Sequence, residues 1–171
     1  MEVGRFRDAC RLSRPLAASS RKAVRRAYAL LCLLGAHTRL GEFAEAAALA
    51  PAANALVEEL GLAHLRIWLA ASLASLYRIA GQVSVAVPFV GEALQAARNC
   101  NPAIVHVPAH LEAVMLHLFS TGNAHAAAQV AERTLDSMER MASALQRVLL
   151  TLGLAVARFR ISRTESRPEA V

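Results

Sequence analysis

The sequence predicts an all-α fold of stacked helix pairs, and three observations predict it. Apolar residues fill 56% of the 171 positions and are mostly Ala and Leu, both strong helix formers, with few aromatics among them. No stretch alternates apolar and polar residues with the period of two that a half-buried strand needs. A turn signal also recurs: Gly4, Gly41, Gly81 and Gly122 are each followed five positions on by a small residue (Ala9, Ala46, Ala86, Ala127) and eight positions on by a large apolar one (Leu12, Leu49, Phe89, Val130). The intervals between these glycines are 37, 40 and 41 residues. A period in that range marks helical units too small to bury their own apolar faces, which therefore stack.

Taken in order, Gly4 to Ser19 places Phe6, Ala9, Cys10 and Leu16 on one helical face and reads as the second helix of a pair. Ser19 and Ser20 are the candidate N-caps of the next helix, which runs through Tyr28, Leu31, Leu34 and His37 to Leu40 and is ended by Gly41. Glu42 to Leu60 follows, with Glu42 and Glu45 suited to the positive end of the helix dipole and Gly61 as terminator. Pro51 falls inside it, as Pro15 and Pro88 do at comparable places in theirs; each removes a backbone donor and favours a bend. Further helices are expected over residues 63–80 and, after Gly81-Gln82, to about Asn99, then from Pro102, capped by Asn101, to Thr121. The last two run from Asn123 to Met141 and from Ser143 to Ile161. The repeat domain is thus 1–161, and the polar stretch 162–171 reads as a disordered tail.

Charge and length narrow the function classes. The most apolar window, Val148 to Ala157, is bracketed by Arg147 and Arg158 and falls well short of the about 20 residues that a membrane span needs. Cys10, Cys32 and Cys100 are few, odd in number and far apart, which fits reduced thiols in the cytoplasm. The net charge of +6 lies at the two ends; residues 1–26 hold eight basic side chains against Glu2 and Asp8. A solvated Arg-rich helix face accounts for this without nucleic acid. The final helix, carrying Val148, Leu149, Leu152, Leu154, Val156 and Phe159, is apolar around much of its circumference. A homodimer through this helix, or continuation into a longer array, would bury that surface.

With these residues in view, the chain resembles a tetratricopeptide-type helical repeat protein over about 160 residues. Ala9, Ala46, Ala86 and Ala127 match the family's small residue in the second helix, and Leu73-Ala74-Ser75-Leu76-Tyr77 best keeps its first-helix spacing. Other repeats depart from it: Leu34 and Met115 occupy the small position, and His37 and Leu118 the tyrosine position. The longer period resembles the divergent arrays in sensor regions of bacterial maltose-activator-like regulators. The resemblance implies a right-handed superhelix of about eight antiparallel helices whose first helices line a concave groove. It implies a non-enzymatic module, with no cofactor, that binds a protein or peptide partner as a scaffold or as the signal-receiving part of a regulator. Mapped onto this chain, the groove positions are Tyr28, Thr38, Arg39, Trp68, Ser75, Arg78, Glu112 and Phe119, with Tyr28 and Trp68 as a stacked aromatic pair beside cationic forks. A small-ligand or peptide sensor is the alternative.

Enzymatic chemistry has little support. His106, His110 and His117 recur near one helix face, but they spread over about 16 Å at about 1.5 Å per residue, so one ion could bridge only His106 and His110. Pro108 between them disturbs even that geometry, and the expectation is no metal; a metal-dependent enzyme on the His106/His110 face is the minor alternative. No nucleophile-elbow turn or activated-cysteine context is present.

Overall fold

A computed structural model describes residues 3–98, 100, 107–137 and 144–165. Within them the chain forms eight helices and no strand: α1 (Val3–Ser19), α2 (Ala23–Leu40), α3 (Phe43–Leu60), α4 (Ala63–Ile79), α5 (Val83–Arg98), α6 (Val107–Leu116), α7 (Ala124–Ser137) and α8 (Ala144–Glu165). Among the described residues none of them is long and apolar enough to cross a membrane.

Left-handed glycines set the turns. Gly41, Gly61, Gly81 and Gly122 all have positive φ, a conformation in which a Cβ would be strained. At Gly41 the Glu42 N–H donates to the His37 carbonyl at 3.0 Å and the Gly41 N–H to that of Thr38 at 3.2 Å. Gly81 repeats the pattern, with Gln82 donating to Tyr77 at 2.8 Å and Gly81 to Arg78 at 3.1 Å. Both are Schellman terminations, which satisfy the orphan carbonyls of the last helical turn. The buried His37 side chain adds a 2.6 Å contact from Nδ1 to Glu42 Oε2, fastening α2 to the start of α3.

The first member of the glycine series behaves differently. Gly4 lies within α1, so the register of turns holds at Gly41, Gly81 and Gly122 and does not extend to the N-terminal helix. The serine caps also fail. Lys22 occupies the N-cap of α2 without a side-chain hydrogen bond, while Ser19 Oγ donates back to the Pro15 carbonyl at 2.7 Å. Pro15, Pro51 and Pro88 lie inside α1, α3 and α5 as expected, all exposed. The expected cap at Asn101 and Pro102 falls outside the described residues. So does the stretch expected to carry α7 to Met141. Helix α8 runs on to Glu165, four residues into the stretch read as tail.

The apolar interior is a chain of local clusters. Ala27, Leu31 and Leu34 of α2, Leu56 and Val57 of α3, and Leu65, Leu69, Leu73 and Leu76 of α4 form one. The other face of α4 (Ile67, Ala70, Ala71) packs with Ala93 and Ala97 of α5 and Ala109 of α6. Val114 and Leu118 join Ala127, Ala128 and Ala131 of α7 and Leu150 and Ala157 of α8. The recurrent small residues Ala46, Ala86 and Ala127 are each completely buried, as close helix crossings require. Helices adjacent in sequence touch, and so do alternate ones: α2 with α4, α4 with α6, and α6 with α8.

Candidate functional site

The helix faces set which groove candidates reach solvent. Tyr28 on α2 and Trp68 on α4 do come together, with ring centroids 5.6 Å apart. Their planes meet at 62°, an edge-on contact in place of the expected stack, and it suits the ring quadrupoles better than a face-to-face sandwich. The ring lying more nearly parallel to Tyr28 is that of His64, at 28° and 6.1 Å, and Tyr28 Oη lies 2.9 Å from its Nε2. His64 was not among the expected residues, although it sits one helical turn before Trp68 and so shares its face. Trp68 packs against the α2–α3–α4 core, and Tyr28 remains 38% exposed. The result is a small aromatic platform, anchored at its base and open at its rim.

Four other candidates point inward. Thr38 is buried and donates to the Leu34 carbonyl at 2.8 Å. Arg78 and Glu112 bridge α4 and α6 at 3.0 Å, with side chains only 10% and 9% exposed. The cationic fork that could have met a partner's carboxylate is therefore met by the protein's own. Ser75, one turn before Arg78, is buried with no hydrogen-bond partner for its Oγ. Arg39, by contrast, is exposed in the last turn of α2, where a cation complements the helix dipole.

Phe119 lies in a π-helical turn, His117–Thr121, that ends α6. Its ring is 58% exposed and carries the Arg160 guanidinium of α8 at 5.4 Å, a cation–π contact. Arg160 also donates to the Leu118 carbonyl. A wide turn disturbs the helical ladder, and a guanidinium can then satisfy a carbonyl there. The π-turn had no recognised signal in sequence, so Arg160 was missed.

His106 lies outside the described residues, and His110 Nδ1 lies 2.7 Å from Thr134 Oγ1 of α7. No cluster of three or more His, Cys, Asp or Glu among the described residues is arranged to hold a metal. Cys10 is a buried free thiol, and burial pushes its pKa up, with Arg14 opposing and Glu42 adding to the rise. That is the environment of an inert thiol.

Two concavities also mark the surface of the described residues. A cleft of about 500 Å³ opens between α3, α4 and α5, floored by Val57, Leu69, Leu73 and Phe89 and rimmed by Asn54 and the Arg66–Glu92 ion pair. A second, of about 620 Å³, lies where the α6–α7 turn meets α8, beside Asn123, His125, Phe159 and Arg163. Compared with protein-family models, with curated proteins and with solved structures, the chain matches none.

Proposed function

We propose that the protein is a non-enzymatic helical-repeat interaction module of the cytoplasm, tetratricopeptide-like in architecture, that binds a protein or peptide segment as a scaffold or as the receiving part of a regulator. The observation that supports this best is the line of contacts between alternate helices, α2 to α4 to α6 to α8, each pair sharing a local cluster in place of one common centre. Such a line is what a superhelical stack requires. The contact region would be the rim of the Tyr28–His64–Trp68 platform together with Arg39, and Phe119 with Arg160 further along the stack. Thr38, Ser75, Arg78 and Glu112 would hold the helices in place beneath it. Exposed aromatics with a fixed base are good anchors for a docking segment, because little side-chain entropy remains to be lost.

Selection from a displayed peptide library tests this. Selected peptides should lose about tenfold or more in affinity on Tyr28→Ala. The melting temperature should stay within a few degrees of that of the unsubstituted protein, since the ring is partly exposed. A library that yields no peptide sensitive to Tyr28→Ala or Phe119→Ala would defeat the reading. The 500 Å³ cleft between α3, α4 and α5 favours a second reading, a small-ligand sensor, because an apolar floor with a few polar groups at its rim is a common ligand site. Thermal stabilisation by a small-molecule fraction alone, lost on Phe89→Ala, would favour the sensor.

A further inference from the structure

Helix α8 presents a seam. Val148, Leu152, Ala155 and Phe159 are all exposed, the three larger ones at 61%, 59% and 62%. Their spacing of four, three and four residues is that of helix-to-helix packing, in which a neighbouring helix seats its side chains between successive pairs. An extended peptide or a flat surface would not call for that spacing. The seam does not come from a loosely held helix. On the opposite side α8 buries Leu150 and Ala157, and Gly153 approaches α6 so closely that an added Cβ would lie 2.8 Å from Val114 Cγ1.

The rim of the seam is cationic. At 100° per residue, Arg147 and Arg158 flank one side and Arg163 the other, and α8 carries no acidic residue before Glu165. Arg158 is paired with Glu132 of α7 at 2.8 Å, whereas Arg147 and Arg163 have no ion pair among the described residues. A second copy of this chain is a poor occupant. An antiparallel α8 centred on Gly153 would set Arg147 of one copy against Arg158 and Arg160 of the other. Another exposed apolar pair, Leu12 and Leu16 on α1, sits among Arg5, Arg14 and an Arg11 paired with Asp8 at 3.4 Å. Like charges across an interface oppose association.

We infer that the outer face of α8 is a docking surface for an amphipathic helix of a partner protein whose apolar stripe is flanked by Asp and Glu. The incoming helix would cover α8 as α3, α5 and α7 cover the helices before them. Arginines of two helices already take an acidic partner from a neighbouring helix: Arg66 of α4 from Glu92 of α5 at 3.1 Å, and Arg158 of α8 itself from Glu132 of α7 at 2.8 Å. The surface is separate from the Tyr28 platform and rests on the interaction-module reading only in taking a protein partner.

The test uses a pair of labelled synthetic helices of about 18 residues, long enough to retain helicity, sharing one leucine stripe and differing only in Glu or Lys on the flanks. The Glu peptide should bind at least about tenfold more tightly than the Lys peptide and weaken as salt is raised. Leu152→Ser with Phe159→Ser should abolish that binding while the far-UV circular dichroism is retained, and Arg147→Glu with Arg163→Glu should reverse the preference. Equal affinity for the two peptides, no binding of either, or binding that survives Leu152→Ser with Phe159→Ser would overturn the inference. So would light scattering that shows a dimer dissociated by those same substitutions, since the occupant would then be a second copy. Tyr28→Ala should leave Glu-peptide binding unchanged, so failure here and failure of the platform reading are told apart.

Discussion

The Arg78–Glu112 pair separates what a residue's position in a helix indicates from what its neighbours decide. The resemblance assigned both side chains to a groove lined by α4 and α6. Whether they would meet a partner or each other depends on the approach of two helices that brings together side chains 34 residues apart in sequence, which no local pattern records. Thr38 and Ser75 went the same way, read as accessible and found buried, whereas Tyr28, Arg39 and Phe119 are exposed. A buried ion pair adds little net stability over an apolar replacement, but removing one partner strands a charge. Glu112→Ala should therefore destabilise by about 3–5 kcal/mol. Replacing both residues with Leu should recover most of that loss. Urea unfolding of the singles and the double checks this, and a loss under about 1 kcal/mol for Glu112→Ala would mean the pair behaves as a solvated surface pair.

At the scale of elements, the sequence revealed most where chain chemistry acts locally. The boundaries from the end of α2 to the start of α5 fall at Gly41, Gly61 and Gly81, whose left-handed conformation terminates a helix whatever packs around it. Gly4 and the Ser19/Ser20 caps were misread for the same reason in reverse. A glycine tolerates the first turn of a helix, and a hydroxyl near a helix end has a carbonyl four residues back to compete for it. Gly153 passed unnoticed inside an apolar run, although a glycine that costs a helix interior about 1 kcal/mol against alanine points to a packing reason such as a close approach. Here it is close approach. Alanine in a helix interior gains about 1 kcal/mol over glycine, but a Cβ 2.8 Å from a Val114 methyl on a stiff β-branched side chain overpacks by about 1–3 kcal/mol. Gly153→Ala should therefore destabilise on balance, by about 1 kcal/mol. In a Val114→Ala background the same change should stabilise, because the obstructing methyl is gone. The two denaturation midpoints at unchanged slope decide it, and a stabilising Gly153→Ala in the unsubstituted protein would show that α6 and α8 are not so closely packed.

Over the whole molecule, the all-α class was readable from composition and period, but the order in which helices touch was not, since it rests on clusters that join residues far apart in sequence. That order distinguishes the proposed stack from a closed bundle by its energetics. In a stack each helix is stabilised by its near neighbours, so an end helix can open without the rest. Helix α1 has its main contact with α2 alone, through Cys10, Leu33 and Ala36, and leaves Leu12 and Leu16 in solvent. Helix α4 contributes to three clusters and touches α2, α3, α5 and α6. Native-state hydrogen exchange should therefore be graded, with α1 amides opening at a free energy well below the global value and α4 amides only with complete unfolding. Cys10→Ser, placing a hydroxyl in the α1–α2 cluster, should speed exchange in α1 and leave α4 protection unchanged. A single uniform opening energy from α1 to α8, lowered everywhere by that substitution, would mean one cooperative bundle, and the stacked reading would be lost.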